Sequence, residues 1–344
     1  MLLSACSSTK ISSNSPDAIN DGPYIDINAD QLTSHWVCND KYLKKSYSID
    51  TANVDACGLS AQVHDLVFSD KLIEYNGNFN IVALSDMHGQ FDLSVELMRN
   101  NGIIDENNDW SYGDGHFVIT GDVFDRGAKV TEILWLLYKL DKQAELAGGK
   151  LHLLLGNHEV MVLNGDLRYL HKKYQKVSEL LDTPFEKLFT SNSLLGRWLR
   201  SKPVLAKVNG YLFAHGGFHP DLAKHHFTLS DVNDLFKANL VKSELNSPRQ
   251  GWGKYMHKTN GPIWYRGYFK DDGASHDEIN MLLKHFDVKK VVVGHTSQKQ
   301  IETRYEGKVI AIDTSIKRGK YGEVLFIEND VLYRGTLNGE KHPL

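Results

Sequence analysis

Three stretches decide the fold: NIVALSDMHG at 80–89, HFVITGDVFDRG at 116–127 and LHLLLGNHE at 151–159. Each opens on a short apolar run, Asn80 to Ser85, His116 to Thr120 and Leu151 to Leu155, which marks a buried strand. Between them, Phe91 to Met98 and Lys129 to Leu146 carry helical spacing. In the second, Ile133, Leu136, Leu137 and Leu140 fall on one face. Strand, helix, strand, helix, strand implies parallel pairing with right-handed crossovers.

Working outward, residues 160–201 read as mostly helical. Val204 to Val208 and Tyr211 to His215 form a hairpin about Asn209-Gly210, the strongest short hairpin signal. Ser230 to Leu245 is a helix, and Ser275 opens another, with Glu278 completing a capping box. Val291 to Val293, Val309 to Ile312, Val324 to Ile327 and Val331 to Thr336 are strands, the last two flanking Glu328-Asn329-Asp330. The expectation is an α/β fold: a two-sheet β-sandwich flanked by helices. Residues 71–344 form its single domain, 30–70 a small N-terminal cap and 1–29 a flexible tether.

The 344 residues are 41% hydrophobic and 24% charged, which excludes a disordered chain. Lys and Arg number 39 against 43 Asp and Glu, a net charge of −4, so there is no footprint for nucleic acid. Only 8 prolines and 10 arginines leave loops unstiffened, a hint of cold adaptation. Leu3-Ser4-Ala5-Cys6 has the pattern of a bacterial lipoprotein signal, with Cys6 as the lipid anchor and Ser7 to Asn28 as a solvated tether. That reading places the protein in the periplasm; the alternative is cytoplasmic. Cys38 and Cys57 pair if the chain is exported and are buried free thiols if it is not. None of the three cysteines has an Arg six residues on, which excludes the Cys-x5-Arg nucleophile of covalent tyrosine phosphatases.

The chemistry sits where strands end, the usual ligand position in open α/β sheets. Asp86 and His88, then Asp122, Asp125 and Arg126, then Asn157 and His158, then His215, then His295 each follow a predicted strand. This mixed oxygen and imidazole set suits divalent Zn, Fe, Mn or similar ions. It is too rich for one ion and suits two. His116 and His152 read as structural. His225, His226, His257, His276 and His285 read as solvated.

The series D-x-H-G, G-D-x-x-D-R-G and G-N-H-E resembles the calcineurin-like metallophosphoesterases. The HGG at 215–217 resembles their phosphoprotein phosphatase branch and, within it, the Shewanella-like protein phosphatases, including the cold-active tyrosine phosphatase type. The resemblance spans roughly 79–335 and implies the metallophosphoesterase fold. It implies that Asp86 and His88 hold one metal, that Asp122 bridges, and that Asn157, His215 and His295 complete the second site. The two cofactors would be Mn, Zn, Fe or Mg. It further implies direct attack by a metal-activated hydroxide, with His158 as leaving-group acid oriented by Asp125. Arg126 and Arg266, with Asn157, would bind phosphate. Tyr265, Trp264, Phe218 and His219 either line a pocket open enough for phosphotyrosine or, each taken singly, pack in the core or anchor a loop.

One departure stands out. Leu155 replaces an Arg that precedes G-N-H-E in the serine/threonine enzymes, which weakens any transfer of their specificity. The expected activity is therefore a metal-dependent phosphomonoesterase acting on phosphoprotein, with phosphotyrosine preferred, and working as a monomer. The alternatives are a diadenosine polyphosphate or other nucleotide hydrolase, and a non-catalytic metal-binding surface lipoprotein.

Overall fold

A computed structural model describes residues 18–69 and 72–344; Cys6 and the segment before residue 18 lie outside the described residues. The chain begins with β1 (Asp21–Ile27), β2 (Gln31–Cys38) and β3 (Lys41–Ser48), an antiparallel sheet, followed by a hairpin of β4 (Asn53–Ala56) and β5 (Leu59–Gln62). Then come β6 (Glu74–Tyr75), β7 (Ile81–Leu84), α1 (Phe91–Asn100), β8 (His116–Ile119), α2 (Val130–Leu146), β9 (Lys150–Leu153) and α3 (Asn157–Leu163). After α4 (Lys172–Leu181) and α5 (Leu194–Ser201), the hairpin β10 (Leu205–Val208) and β11 (Tyr211–Ala214) leads to further helices. The chain closes with β12 (Lys290–Val293), β13 (Glu302–Arg304), β14 (Val309–Ala311), β15 (Val324–Glu328), β16 (Val331–Gly335) and β17 (Lys341–Pro343).

Two mixed six-stranded sheets form the sandwich, in the orders β17-β16-β15-β7-β8-β9 and β13-β14-β12-β11-β10-β6. The expected parallel run β7-β8-β9 is present. Alternation explains why these strands are mostly apolar on both faces. Ile81, Ala83 and Val118 face Phe213, Val292 and Ile310 between the sheets. Val82, Leu84, Phe117 and Ile119 face the helical layers. Both faces are buried, and the buried polar pair His116 and His152 is satisfied by a mutual contact of 2.9 Å.

The hairpin turn falls on Asn209-Gly210, both with positive φ as the primed turn demands. In the last hairpin Glu328 pairs with Val331, so the turn is the two residues Asn329-Asp330 rather than three. Asn and Asp tolerate the left-handed region that such a turn imposes.

Three expectations need correction. Residues 21–27 are not tether but strand β1, with Tyr24 and Ile25 buried. Gly22, Pro23 and two Asp residues hid the strand signal, and burial on the helical layer supplied what local propensity lacked. Trp135 donates its indole N–H to the Pro23 carbonyl (3.0 Å), and Lys173 pairs with buried Asp21 at 3.1 Å. The N-terminal sheet is thus built into the domain surface. Second, the helix expected over 230–245 spans Leu229–Lys237, followed by a short 3-10 turn at Lys242–Glu244. Third, His257 is buried, stacked on Phe236 at 4.1 Å, and not solvated. Cys38 and Cys57 are disulfide-bonded, which joins the end of β2 to the turn after β4.

Candidate active site

The carboxyl ends of β7, β8, β9, β11 and β12 converge on one edge of the sandwich, and the turns that leave them carry the polar cluster. Those turns are tight. Asp86, His88, Asp122, Asp125, Arg126 and His295 all have positive φ between 45° and 71°. Such conformations cost about 1–3 kcal/mol each and persist only where surrounding bonds over-determine them. The bonds are there: His88 N–H donates to the Asp122 carbonyl (2.9 Å) and Gly127 N–H to that of His88 (2.9 Å). Gly294 is required by close approach, since a Cβ there would meet Ser85 Oγ and lie 2.6 Å from Asp86 Oδ2.

Glu159 locks the second turn. Its buried carboxylate accepts backbone N–H groups from Asp122 (2.8 Å), Val123 (2.7 Å), Phe124 (3.3 Å) and Gly156 (2.7 Å). In the sequence Glu159 is visible only as part of a motif, because a carboxylate that serves backbone amides has no signature of its own.

Asp122 stands at the centre. Its Oδ2 lies 3.5 Å from His88 Nε2, 3.2 Å from His215 Nε2 and 3.8 Å from His158 Nε2. One carboxylate oxygen thus faces imidazoles from both sheets. His88 Nδ1 is occupied by the Phe124 carbonyl (2.8 Å) and His215 Nδ1 by that of Thr120 (2.9 Å), so both Nε2 atoms face inward. Asp86 spends Oδ2 on Ser85 Oγ and the His295 N–H, leaving Oδ1 3.7 Å from His88 Nε2. His215 Nε2 also lies 2.9 Å from Asn157 Oδ1 and 3.1 Å from His295 Nδ1.

These residues fit two divalent ions by the chemistry of the donor set. Lone pairs from imidazole, amide and carboxylate converge with too few protons to bond them all. Among the described residues, Asp122 groups with His88 and His158 on one side and with His215 and His295 on the other as atoms able to hold an ion. The field agrees. Burial, with Asp313 and Asp122 nearby, pushes Asp86 up to about 8. Burial disfavours the His215 imidazolium, but Asp122 and its hydrogen bond outweigh that and raise it to about 9. A pocket that draws a proton this strongly favours cations.

His158 lies beside this cluster with Nδ1 2.6 Å from Asp125 Oδ2. Burial opposes its protonation, yet Asp122 and Asp125 raise its pKa above the ordinary value. Arg126 is exposed and lies over the Tyr169 ring at 4.7 Å, and that ring is 5.2 Å from His158. Arg266 is half-buried, 3.4 Å from the carbonyl and Nδ1 of His295, with no carboxylate partner among the described residues. Trp264 borders His295 at 5.7 Å. Tyr265 is buried but lines a cavity of about 260 Å³ with His219 and Arg266. Phe218 is fully buried against Phe286, in keeping with the core-packing reading. Leu155 is fully buried too, so its position presents nothing to a ligand.

Two residues at the site escaped the sequence reading. Tyr169 sits in a loop without any pattern. Asp313, fully buried after β14, accepts from Ser297 Oγ (2.6 Å) and Ser315 N–H (2.9 Å).

The family model described as "Calcineurin-like phosphoesterase" matches residues 79–299. An uncharacterised Schizosaccharomyces pombe protein is 32% identical over 75% of this chain and 82% of its own. Shewanella-like protein phosphatase 2 of Arabidopsis thaliana is 29% identical over 73% of this chain and 75% of its own. The crystal structure of a cold-active protein-tyrosine phosphatase from a psychrophilic Shewanella species superposes with a TM-score of 0.88 at 40% identity. That match covers 95% of this chain and 99% of the other.

Proposed function

The chain belongs to the calcineurin-like phosphoesterases, and from that membership we propose a metal-dependent protein phosphatase that prefers phosphotyrosine. The observation that carries this reading is the single cluster in which Asp122 faces His88, His158 and His215, with the His158–Asp125 pair beside it. Asp86, His88 and Asp122 would hold one divalent ion; Asp122, Asn157, His215 and His295 would hold the other. Bound there, the two ions supply Lewis acidity and an activated water.

The chain's own residues do the rest. Arg126 and Arg266 bind the phosphoryl oxygens, for which the fork of a guanidinium is suited. His158 Nε2 gives its proton to the tyrosine oxygen as the P–O bond to it breaks. Asp125 holds Nδ1–H, fixes the ring and stabilises the imidazolium. Water provides the new P–O bond, and inorganic phosphate and tyrosine leave. The 40% identity to the Shewanella tyrosine phosphatase structure supports that substrate, and low proline and arginine content supports activity in the cold.

The test uses chelated protein reconstituted with Mn, Zn or Mg and assayed on phosphotyrosine, phosphoserine and phosphothreonine peptides. Restored turnover biased to phosphotyrosine is expected. Restored turnover without bias removes the specificity, and none with any ion removes the function.

A periplasmic, lipid-anchored location belongs to the same reading and is supported by the Cys38–Cys57 bond, since disulfides persist in oxidising compartments. Intact mass of protein extracted from the membrane fraction tests the lipid on Cys6.

A further inference from the structure

Helix α3 begins with Asn157 and His158. One turn later Val160 and Met161 line a cavity of about 510 Å³ that reaches Trp264 and Arg266. A second cavity, of about 540 Å³, shares Lys242, Arg249, His257 and Lys258 with the first and extends to Lys254. Together they form a cleft leading away from the metal-ligand cluster. Its cations are Arg266, Lys270, Lys258, Lys242, Arg249 and Lys254.

Two carboxylates near this cleft are already engaged, while Asp271 and Asp272 lie at its far end beside Lys270. Asp166, the one acidic residue among the described residues that line either cavity, accepts two hydrogen bonds of 2.8 Å from Arg168. Glu244, beside Lys242, pairs with Arg200 at 2.7 Å. The cations are not engaged in this way. Arg249 donates to the backbone carbonyls of Asn239 (2.6 Å) and Leu240 (2.7 Å). Lys242, Lys254, Lys258 and Lys270 make no ion pair among the described residues. His257, buried along both cavities, adds no charge: burial, with Arg249 nearby, lowers it to about 3.

The arrangement is held rigidly. Asn164 donates to the carbonyls of Val160 (2.7 Å) and Leu240 (3.0 Å) and accepts from the Lys242 N–H (2.8 Å). The cation-bearing turn is thereby pinned to the helix that carries His158. In a chain of net charge −4, this is a local excess of positive charge kept unneutralised beside the site. Complementary charge of that kind selects and steers an anionic partner.

We propose that this cleft docks the carboxylate-rich flank of a phosphopeptide, so that the enzyme selects phosphotyrosines set among Asp and Glu. The proposal rests on the phosphatase reading above and names the substrate class within it.

The test takes the full chain loaded with Mn²⁺ and two phosphotyrosine peptides of equal length, one flanked by Asp and Glu, the other by Asn and Gln. The acidic peptide is expected to show kcat/KM higher by about tenfold, carried by KM, with the advantage shrinking as added salt screens exposed charge. The double variant Lys242→Glu with Lys258→Glu should erase the preference. Lys41→Glu with Lys44→Glu, which makes the same change of net charge on β3, should retain it. Lys258→Gln, a milder change at an exposed position, should lower the preference partway. A wild-type enzyme without the preference, or a cleft variant that keeps it, overturns the proposal. If neither phosphotyrosine peptide is hydrolysed, the phosphotyrosine reading fails on its own. The cleft is then read by fluorescence anisotropy with the same peptides unphosphorylated. Tighter binding of the acidic one, lost in the cleft variant, upholds docking, and equal binding overturns it.

Discussion

At the scale of single residues, Asp122 and His158 separate two jobs. Asp122 Oδ2 faces imidazoles from both sheets, so Asp122→Asn weakens both ion positions at once. Elemental analysis should show metal loss, and turnover should disappear with it. His158 has Nδ1 committed to Asp125. His158→Asn should lower kcat by about 10²–10⁴-fold, the usual worth of a positioned acid, while metal content stays. Metal loss in that variant would sink the acid assignment. The same pair makes a pH prediction. Burial works against the His158 imidazolium, but Asp122 and Asp125 raise its pKa above the ordinary value. An acid must be protonated to donate, so kcat falls as pH rises through that pKa. Asp125→Asn removes one of the two carboxylates and should move the descending limb to lower pH. A limb that stays in place would deny Asp125 this role. The motif residues were legible one by one in the sequence. Glu159, Asp313 and Tyr169 were not, because each acts only through a neighbour that folding brings to it.

Secondary-structure elements were legible where period and capping agreed. The parallel strands, α2, the Asn209-Gly210 hairpin and the Ser275 capping box stand where their patterns put them. Strand β1 was hidden, since its place is set by the helices beneath it. The seam between α2 and α5 shows what such packing costs to break. Lys202, buried at the end of α5, pairs with Asp141 of α2 at 2.7 Å, and Trp198 Nε1 donates to the same oxygen at 3.0 Å. Burial resists ionisation of Asp141, but Lys202 and that hydrogen bond hold its carboxyl below the usual range. Its contribution is therefore complete above the ordinary carboxylate pKa and is lost as pH falls through the lower, folded value. Asp141→Ala removes the Lys202 ion pair and the acceptor of the Trp198 N–H together and should destabilise by about 1–3 kcal/mol, read as a lower urea midpoint at neutral pH. A midpoint unchanged within error would remove the pair from the account.

For the whole molecule, the N-terminal sheet is joined to the domain by packing and by the bonds of Pro23 and Asp21 to Trp135 and Lys173, while the Cys38–Cys57 bond ties that sheet to the β4–β5 hairpin. The sequence separation of 19 residues corresponds to about 3 kcal/mol in the chain-entropy description of crosslinks. Cys57→Ser should lower Tm while leaving kcat at low temperature unchanged, since the bond lies outside the ligand cluster. Loss of kcat in protein shown to be folded would mean that this sheet supports the site directly. No helix among the described residues is long and apolar enough to cross a membrane.

The sequence by itself determined the order of the parallel strands and of the helices between them, and the strand-end turns at which the polar residues gather. These are local properties, written in hydrophobic period, turn residues and motif spacing. Tertiary structure alone decided which side chains meet. Residues more than 200 apart, such as Asp86 and His295, are hydrogen-bonded at 2.9 Å because two sheets end on one edge. It also decided that Glu244 and Asp166 turn to arginines while the cleft lysines make no ion pair among the described residues. Ion pairing depends on distances of a few ångströms, and such distances between remote residues exist only once the chain has folded.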